Sequence, residues 1–344
     1  MQKSILIIYT GGTIGMVSTP RKNTLTPFDF EEIRSHVPEI ERFGINLSAV
    51  TIHPVVDSSN IKPAAWVKIA ELVRDNYGQY DGFIVLHGTD TMSFSASALS
   101  FMLEDLDKPV IFTGSQLPVS ILRTDARENL ISSIEIATAE KDGSPLVPEV
   151  CIYFEYKLFR GNRTTKHNAE DFDAFESPNY PALAESGVHI KYHPEYILRK
   201  KGKSSFRIHT RLDNNIAVLK IFPGMPEKVL DAVLSTEGLR AVILETFGAG
   251  NAPTDPWFYE KIRAANDRGI VFLNITQCIQ GGVDMGRYET SEHLIRAGVV
   301  SGYDSTPEAA ITKLMFLLGS ELSAEETKSL LNKSVRGEIT VSQT

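Results

Sequence analysis

Short β-rich apolar segments, each ended by a glycine-bearing loop, recur along this chain and constrain its fold more than any other feature. Residues 4–9 precede Thr10-Gly11-Gly12, residues 82–86 precede His87-Gly88, and residues 110–112 precede Thr113-Gly114. Each run is apolar without alternation, the pattern of a strand buried on both faces. Between them, residues 64–77 place Trp66, Ile69, Ala70 and Val73 on one helical face, and residues 95–106 do the same with Leu99, Met102, Leu103 and Leu106. The rhythm returns at residues 150–154, at 216–222 before Pro223-Gly224, at 241–244 before Phe247-Gly248, and at 271–275 before Thr276-Gln277, with helices expected at 227–235 and 256–267. Strand, glycine loop and helix in alternation predict an α/β fold with a parallel sheet covered on both faces.

Length sets the number of such units. At 344 residues the chain exceeds what one core usually organises, so two domains are expected. Prolines, glycines and charge interrupt the rhythm between residues 177 and 215. This places an N-terminal domain at 1–190, a linker at 191–215 and a C-terminal α/β domain at 216–344. In open parallel sheets, ligands bind beyond the carboxyl ends of the strands, which directs attention to the loops.

Composition excludes several classes. The longest apolar runs are far shorter than the ~20 residues needed to span a bilayer, and the N-terminal run is too short for a signal peptide core, which predicts a cytoplasmic protein. A net charge of −8 opposes tracking along a phosphate backbone, so no nucleic-acid partner is expected. The basic run Arg199-Lys200-Lys201-Gly202-Lys203 reads as a solvated turn. Cys151 and Cys278 are too far apart in sequence to suggest a paired metal site and are read as reduced thiols in the core or lining a site. His189 and His193 form the only close histidine pair, and no metal is expected there.

Three loops carry polar groups suited to chemistry. Thr10-Gly11-Gly12-Thr13-Ile14-Gly15 and His87-Gly88-Thr89-Asp90-Thr91 each set threonine hydroxyls beside glycines that let backbone N–H groups approach a ligand. The first loop only approximates a dinucleotide fingerprint and lacks a P-loop lysine. The third segment, Arg160 to Lys166, brings a lysine into a hydroxyl-rich loop. A threonine is a poor nucleophile until a base takes its proton, and a desolvated lysine can be that base. Thr89, Asp90 and Lys166 therefore have the residue types of a Thr-Lys-Asp relay.

Taken with Asp57-Ser58-Ser59, Gly248-Ala249-Gly250-Asn251-Ala252-Pro253 and Asn274-Ile275-Thr276-Gln277-Cys278, these motifs make the chain resemble the bacterial cytoplasmic (type I) L-asparaginases over nearly its whole length. The resemblance implies a doubly wound, mostly parallel N-terminal sheet domain with a smaller C-terminal α/β domain. It also implies cofactor-free hydrolysis of L-asparagine through a threonyl acyl-enzyme, and self-association as a homodimer or homotetramer. Thr13 would be the nucleophile, with Thr89, Asp90 and Lys166 assisting. Gly12, Asp57, Ser58, Ser59, Thr89 and Asp90 would bind substrate, with Asn251 supplied by a neighbouring subunit. Two departures stand out. The family's loop after the first motif usually offers a tyrosine, whereas residues 21–27 here offer only Thr24 and Thr26 as hydroxyls. An effector site in some members groups positions matching Thr165, Glu245 and Cys278, with arginine where this chain has Glu245. The rival readings are an asparagine-binding sensor without turnover and the amidase subunit of a tRNA-dependent amidotransferase.

Overall fold

The computed structural model describes residues 2–18, 25–27, 30–199, 202, 204–286 and 289–341. The chain divides into two units, Met1–Thr210 and Arg211–Thr344. The division falls within the stretch read as a linker, in which Arg207–Ile208 pairs with Leu103–Glu104 in the first unit.

An eight-stranded sheet forms the first unit. From edge to edge its strands are Ile190–Tyr192, Ala184–Ser186, Lys157–Arg160, Val150–Phe154, Val110–Thr113, Gly82–Leu86, Ser4–Tyr9 and Asn46–Thr51. The last five pair in parallel and the first three are joined antiparallel. The expected parallel sheet is thus present, and it carries an antiparallel extension that the sequence reading did not name. Four of the parallel strands are buried almost throughout, which explains their unbroken apolar sequence. Register places Ile7 beside Ile84 and Ile84 beside Ile111. On one face these residues join a core with Leu130 and Ile134 of the Ala126–Thr138 helix. Asn46–Thr51 was not anticipated. As an edge strand it mixes Asn46, Ser48 and Thr51 with Leu47, Ala49 and Val50 and is only half-buried, so it lacks the apolar run that marks the others.

The Pro63–Asn76 helix begins with proline at its first position, where no N–H is needed, and buries Trp66, Ile69, Ala70 and Val73 as its spacing predicted. Its larger buried side chains each contribute roughly 1.5–3 kcal/mol. The next helix corrects the expected range. It spans Met92–Met102 rather than reaching residue 106, and Leu103 leaves it for a strand. Nearly every residue of this helix is buried, so no polar face marks its axis or its end, and Asp105 then adopts a left-handed backbone with φ of 57°.

In the second unit, Ile216–Lys220, Ala241–Thr246, Val271–Thr276 and Val300–Ser301 form a parallel sheet in that order. Leu219, Val242, Leu244 and Phe272 pack with Leu230 of the Glu227–Leu234 helix and with Phe258 and Ile262 of the Pro256–Asp267 helix. Behind it, Lys313 and Glu338 form a fully buried ion pair at 2.6 Å, with Lys313 also donating to the Leu331 and Lys333 carbonyls. Among the described residues no helix is long and apolar enough to cross a membrane.

Candidate active site

Three loops of the first unit meet at the carboxyl ends of its parallel strands. Gly12 has a φ of 90° and lies so close to Gly88 that a Cβ on it would stand 2.4 Å from the Gly88 nitrogen. Gly88 is packed against Ser58, whose Oγ would be 2.5 Å from a Cβ there. Only glycine permits this approach of backbones, which brings the 10–15, 57–60 and 87–91 segments together. Thr13, half-buried, opens the short Thr13–Gly15 turn at this meeting point.

Asp57 caps the Ser58–Asn60 turn. Its Oδ1 accepts from the Ser59 amide at 2.8 Å and from the Ser59 hydroxyl at 2.6 Å. The Ser59 hydroxyl bond first, and the amide bond second, hold the Asp57 carboxyl below its ordinary value. Ser58 is 4% exposed, and its carbonyl accepts from the Thr91 hydroxyl at 2.7 Å. These bonds fix the serine pair against the second threonine loop.

The third segment reaches the same place. Lys166 Nζ lies 2.9 Å from Thr89 Oγ1 and 2.7 Å from Asp90 Oδ1. The three side chains singled out by residue type are therefore brought together in space. The Lys166 side chain is 17% exposed while that of Asp90 is 63% exposed, so the lysine is largely covered and the carboxylate faces outward. Lys166 is delivered by Thr165–Lys166, which pairs with Phe175–Glu176, and the segment is anchored upstream by Arg160, buried and 2.7 Å from Glu149.

Sequence reasoning missed two supporting groups. Gln116 Oε1 accepts from the Thr89 hydroxyl at 3.2 Å, and its amide donates to the carbonyls of Ala169 and Asp171, bracing the loop that follows Lys166. The Gln116 and Leu117 amides donate to Asp125, whose carboxyl is raised by burial. His87 is fully buried, and burial lowers its pKa to about 4 despite a bond to the Gly88 carbonyl. Gln116 follows the third glycine loop, a signal available in the sequence. The burial of His87 is legible only in three dimensions.

Of the remaining expected residues, Thr165 lies in the first unit, and Asn251, Glu245 and Cys278 in the second. Asn251 closes a turn with Phe247, donating to its carbonyl at 2.8 Å. The Glu245 carboxylate is 3.8 Å from Lys220 Nζ, and Cys278 is exposed. Thr24, Lys200, Lys201 and Lys203 lie outside the described residues, and Thr26 belongs to the Leu25–Pro27 strand paired with Met16–Ser18. A groove of about 700 Å³ touches Thr10 and Ser59, but Ile52, Pro54, Val56 and Ile61 line much of it and the Lys166 cluster does not.

Comparison with known proteins agrees with this geometry. The asparaginase N-terminal family model matches residues 4–198, and the glutaminase/asparaginase C-terminal domain model matches residues 215–331. L-asparaginase 1 of Escherichia coli K12 is 42% identical over 98% of both chains. A mouse protein named 60 kDa lysophospholipase is 40% identical over 100% of this chain and 64% of its own length. The crystal structure of L-asparaginase I from Vibrio cholerae superposes with a TM-score of 0.90 at 41% identity, covering 99% of this chain and 100% of that one. With both family domains matched in order and 42% identity to L-asparaginase 1 over 98% of both chains, the chain belongs to the bacterial type I L-asparaginase family.

Proposed function

We propose that this protein is an L-asparagine amidohydrolase, producing L-aspartate and ammonia through an acyl-enzyme on Thr13. Similarity to a protein named lysophospholipase means that fold alone leaves the substrate open, so the reading rests on the site. The observation that carries it is Lys166 Nζ bonded at once to Thr89 Oγ1 and Asp90 Oδ1, beside two polar loops and an outward-facing carboxylate. A zwitterionic amino acid needs an anion for its ammonium, which Asp90 supplies. Its carboxylate needs neutral donors, which the Ser58 hydroxyl and the Gly12 backbone supply, joined by the Ser59 hydroxyl once it turns its proton from Asp57 to the substrate.

Thr13 Oγ attacks the side-chain amide carbon, the C–N bond breaks, and the nitrogen leaves as ammonia with the proton released by the hydroxyl. Water, deprotonated through Thr89 and Lys166, then cleaves the ester and restores the Thr13 hydroxyl, so the net reaction adds one water to asparagine. In the resting chain Lys166 donates to Thr89 while Thr89 donates to Gln116. For Thr89 to pass its proton to Lys166 the amine must be neutral.

The reaction uses no cofactor in this reading and proceeds in the cytoplasm, with homodimers or homotetramers in which Asn251 of one chain closes the site of another. Purified protein assayed with asparagine, glutamine and a lysophospholipid tests the reading: ammonia from asparagine is expected. Fatty acid from the lysophospholipid without ammonia from either amide would overturn it, and binding of asparagine without turnover would make the protein a sensor.

A further inference from the structure

Behind the site runs a chain of buried hydrogen bonds. His87 Nδ1 lies 2.7 Å from the Gly88 carbonyl oxygen. A carbonyl only accepts, so Nδ1 carries the proton and Nε2 presents a lone pair. Ser95 Oγ is 2.9 Å from Nε2 and 2.8 Å from Trp66 Nε1. An indole N–H only donates, so every link has one direction: Trp66 to Ser95, Ser95 to His87, His87 to Gly88. Ser95 and His87 are 0% exposed and Trp66 is 6% exposed. Burial also keeps the imidazole neutral, the state in which one ring nitrogen donates and the other accepts.

The last bond in this chain sets the direction of a peptide. The Gly88–Thr89 bond is trans, because the single cis bond among the described residues is His53–Pro54. In a trans peptide the C=O and N–H point in opposite directions, so a Gly88 carbonyl drawn inward to His87 turns the Thr89 N–H outward. Thr89 is also the first residue of its 3₁₀ turn, where an N–H has no acceptor within the turn.

We propose that Trp66, Ser95 and His87 are positioning residues whose buried relay holds the Gly88–Thr89 peptide in one orientation, aiming the Thr89 N–H at the oxyanion formed on the reacting amide. The relay acts through that peptide. The inference rests on the amidohydrolase reading.

His87→Leu, His87→Asn and Ser95→Ala test it together with ¹⁵N NMR of the wild-type imidazole. The leucine variant removes the donor to Gly88. Asparagine at 87 keeps an N–H donor near the place of Nδ1. Ser95→Ala frees His87 to adopt the other tautomer. An oxyanion donor that is displaced rather than deleted costs less than the 10²–10³ of outright loss, so kcat should fall about tenfold in His87→Leu and severalfold in Ser95→Ala. KM for asparagine should stay within about twofold, and His87→Asn should recover most of kcat. The NMR spectrum should show a protonated Nδ1 and a bare Nε2. A protonated Nε2, unchanged kcat in Ser95→Ala, or equal loss in His87→Leu and His87→Asn would overturn the relay. Should His87→Leu fail to fold, the tautomer and Ser95→Ala still decide. If the wild type releases no ammonia the amidohydrolase reading fails, while the tautomer measurement continues to judge the hydrogen bonds.

Discussion

At the carboxyl ends of the first unit's strands, Lys166 bonds to both Thr89 and Asp90, with Asp90 open to solvent. At the carboxyl ends of the second unit's strands the polar groups are turned to a different use. Thr246 Oγ1 donates to Asn274 Oδ1 at 2.7 Å, Thr276 Oγ1 donates to the Gly248 carbonyl at 2.6 Å, and the Gln277 amide donates to the carbonyls of Ile221 and Glu245, both at 2.7 Å. Thr246 and Asn274 are both 0% exposed. Two parallel sheets thus end in polar loops. One loop set keeps a titratable side chain open to solvent, whereas the other turns its hydroxyls and amides to side-chain and backbone acceptors within the unit. Polar residues after a strand show where a ligand can bind, but their exposure decides whether chemistry follows.

Substitutions in the two regions should separate these uses. In the first unit, Thr13→Ala and Lys166→Met should each lower kcat by about 10³ or more while leaving the thermal midpoint within a few degrees. Steady-state kinetics with calorimetry checks both, and more than a few per cent residual kcat in Thr13→Ala would remove Thr13 from the role of nucleophile. In the second unit, Asn274→Ala should do the reverse. It leaves the buried Thr246 hydroxyl only the longer bond to the Ile275 carbonyl at 3.4 Å and removes the donor to the Gly250 carbonyl, costing about 1–3 kcal/mol, which a shift in urea midpoint would register.

The buried relay of the first unit adds a pH signature. His87 is lowered from 6.5 to about 4, so between those values the unfolded chain binds a proton that the folded chain refuses. Its contribution is complete above pH 6.5 and is lost as pH falls towards 4, by roughly 3 kcal/mol at the limit. Thermal midpoints measured between pH 7 and 4 should therefore converge for wild type and His87→Asn as acid is added, if the asparagine variant folds less stably at neutral pH. Parallel curves would show that the imidazole is not the group titrating.

The smallest effect is expected at Glu245. Its 3.8 Å pair with the mostly exposed Lys220 is worth no more than about 1 kcal/mol, so Glu245→Gln should scarcely change stability. The rate should depend hyperbolically on asparagine, since a carboxylate at this position repels the carboxylate of an effector. A Hill coefficient clearly above one, abolished by changing Glu245 or Thr165, would make a strand end of the second unit a ligand site as well and break the contrast between the two regions.

How much was legible beforehand varies with burial. The Ser4–Tyr9, Gly82–Leu86 and Val150–Phe154 strands showed themselves because strands covered on both faces are apolar throughout. The Pro63–Asn76 helix showed itself because one face is wet and one is dry. The Asn46–Thr51 strand stayed hidden for want of either pattern, and the Met92–Met102 helix lost its boundary because it is dry all round.

The sequence by itself determined the alternation that makes parallel sheets, the glycines that let backbones meet at Gly12 and Gly88, and the residue types of a threonine, lysine and carboxylate relay. These are local properties, written in periodicity and in what each side chain can donate or accept. Only the tertiary structure decided that Lys166 stands 2.9 Å from Thr89 across 77 positions of chain, and that His87 turns inward to Ser95 and Trp66. Distance and burial depend on how segments far apart in sequence pack, and no local pattern encodes them.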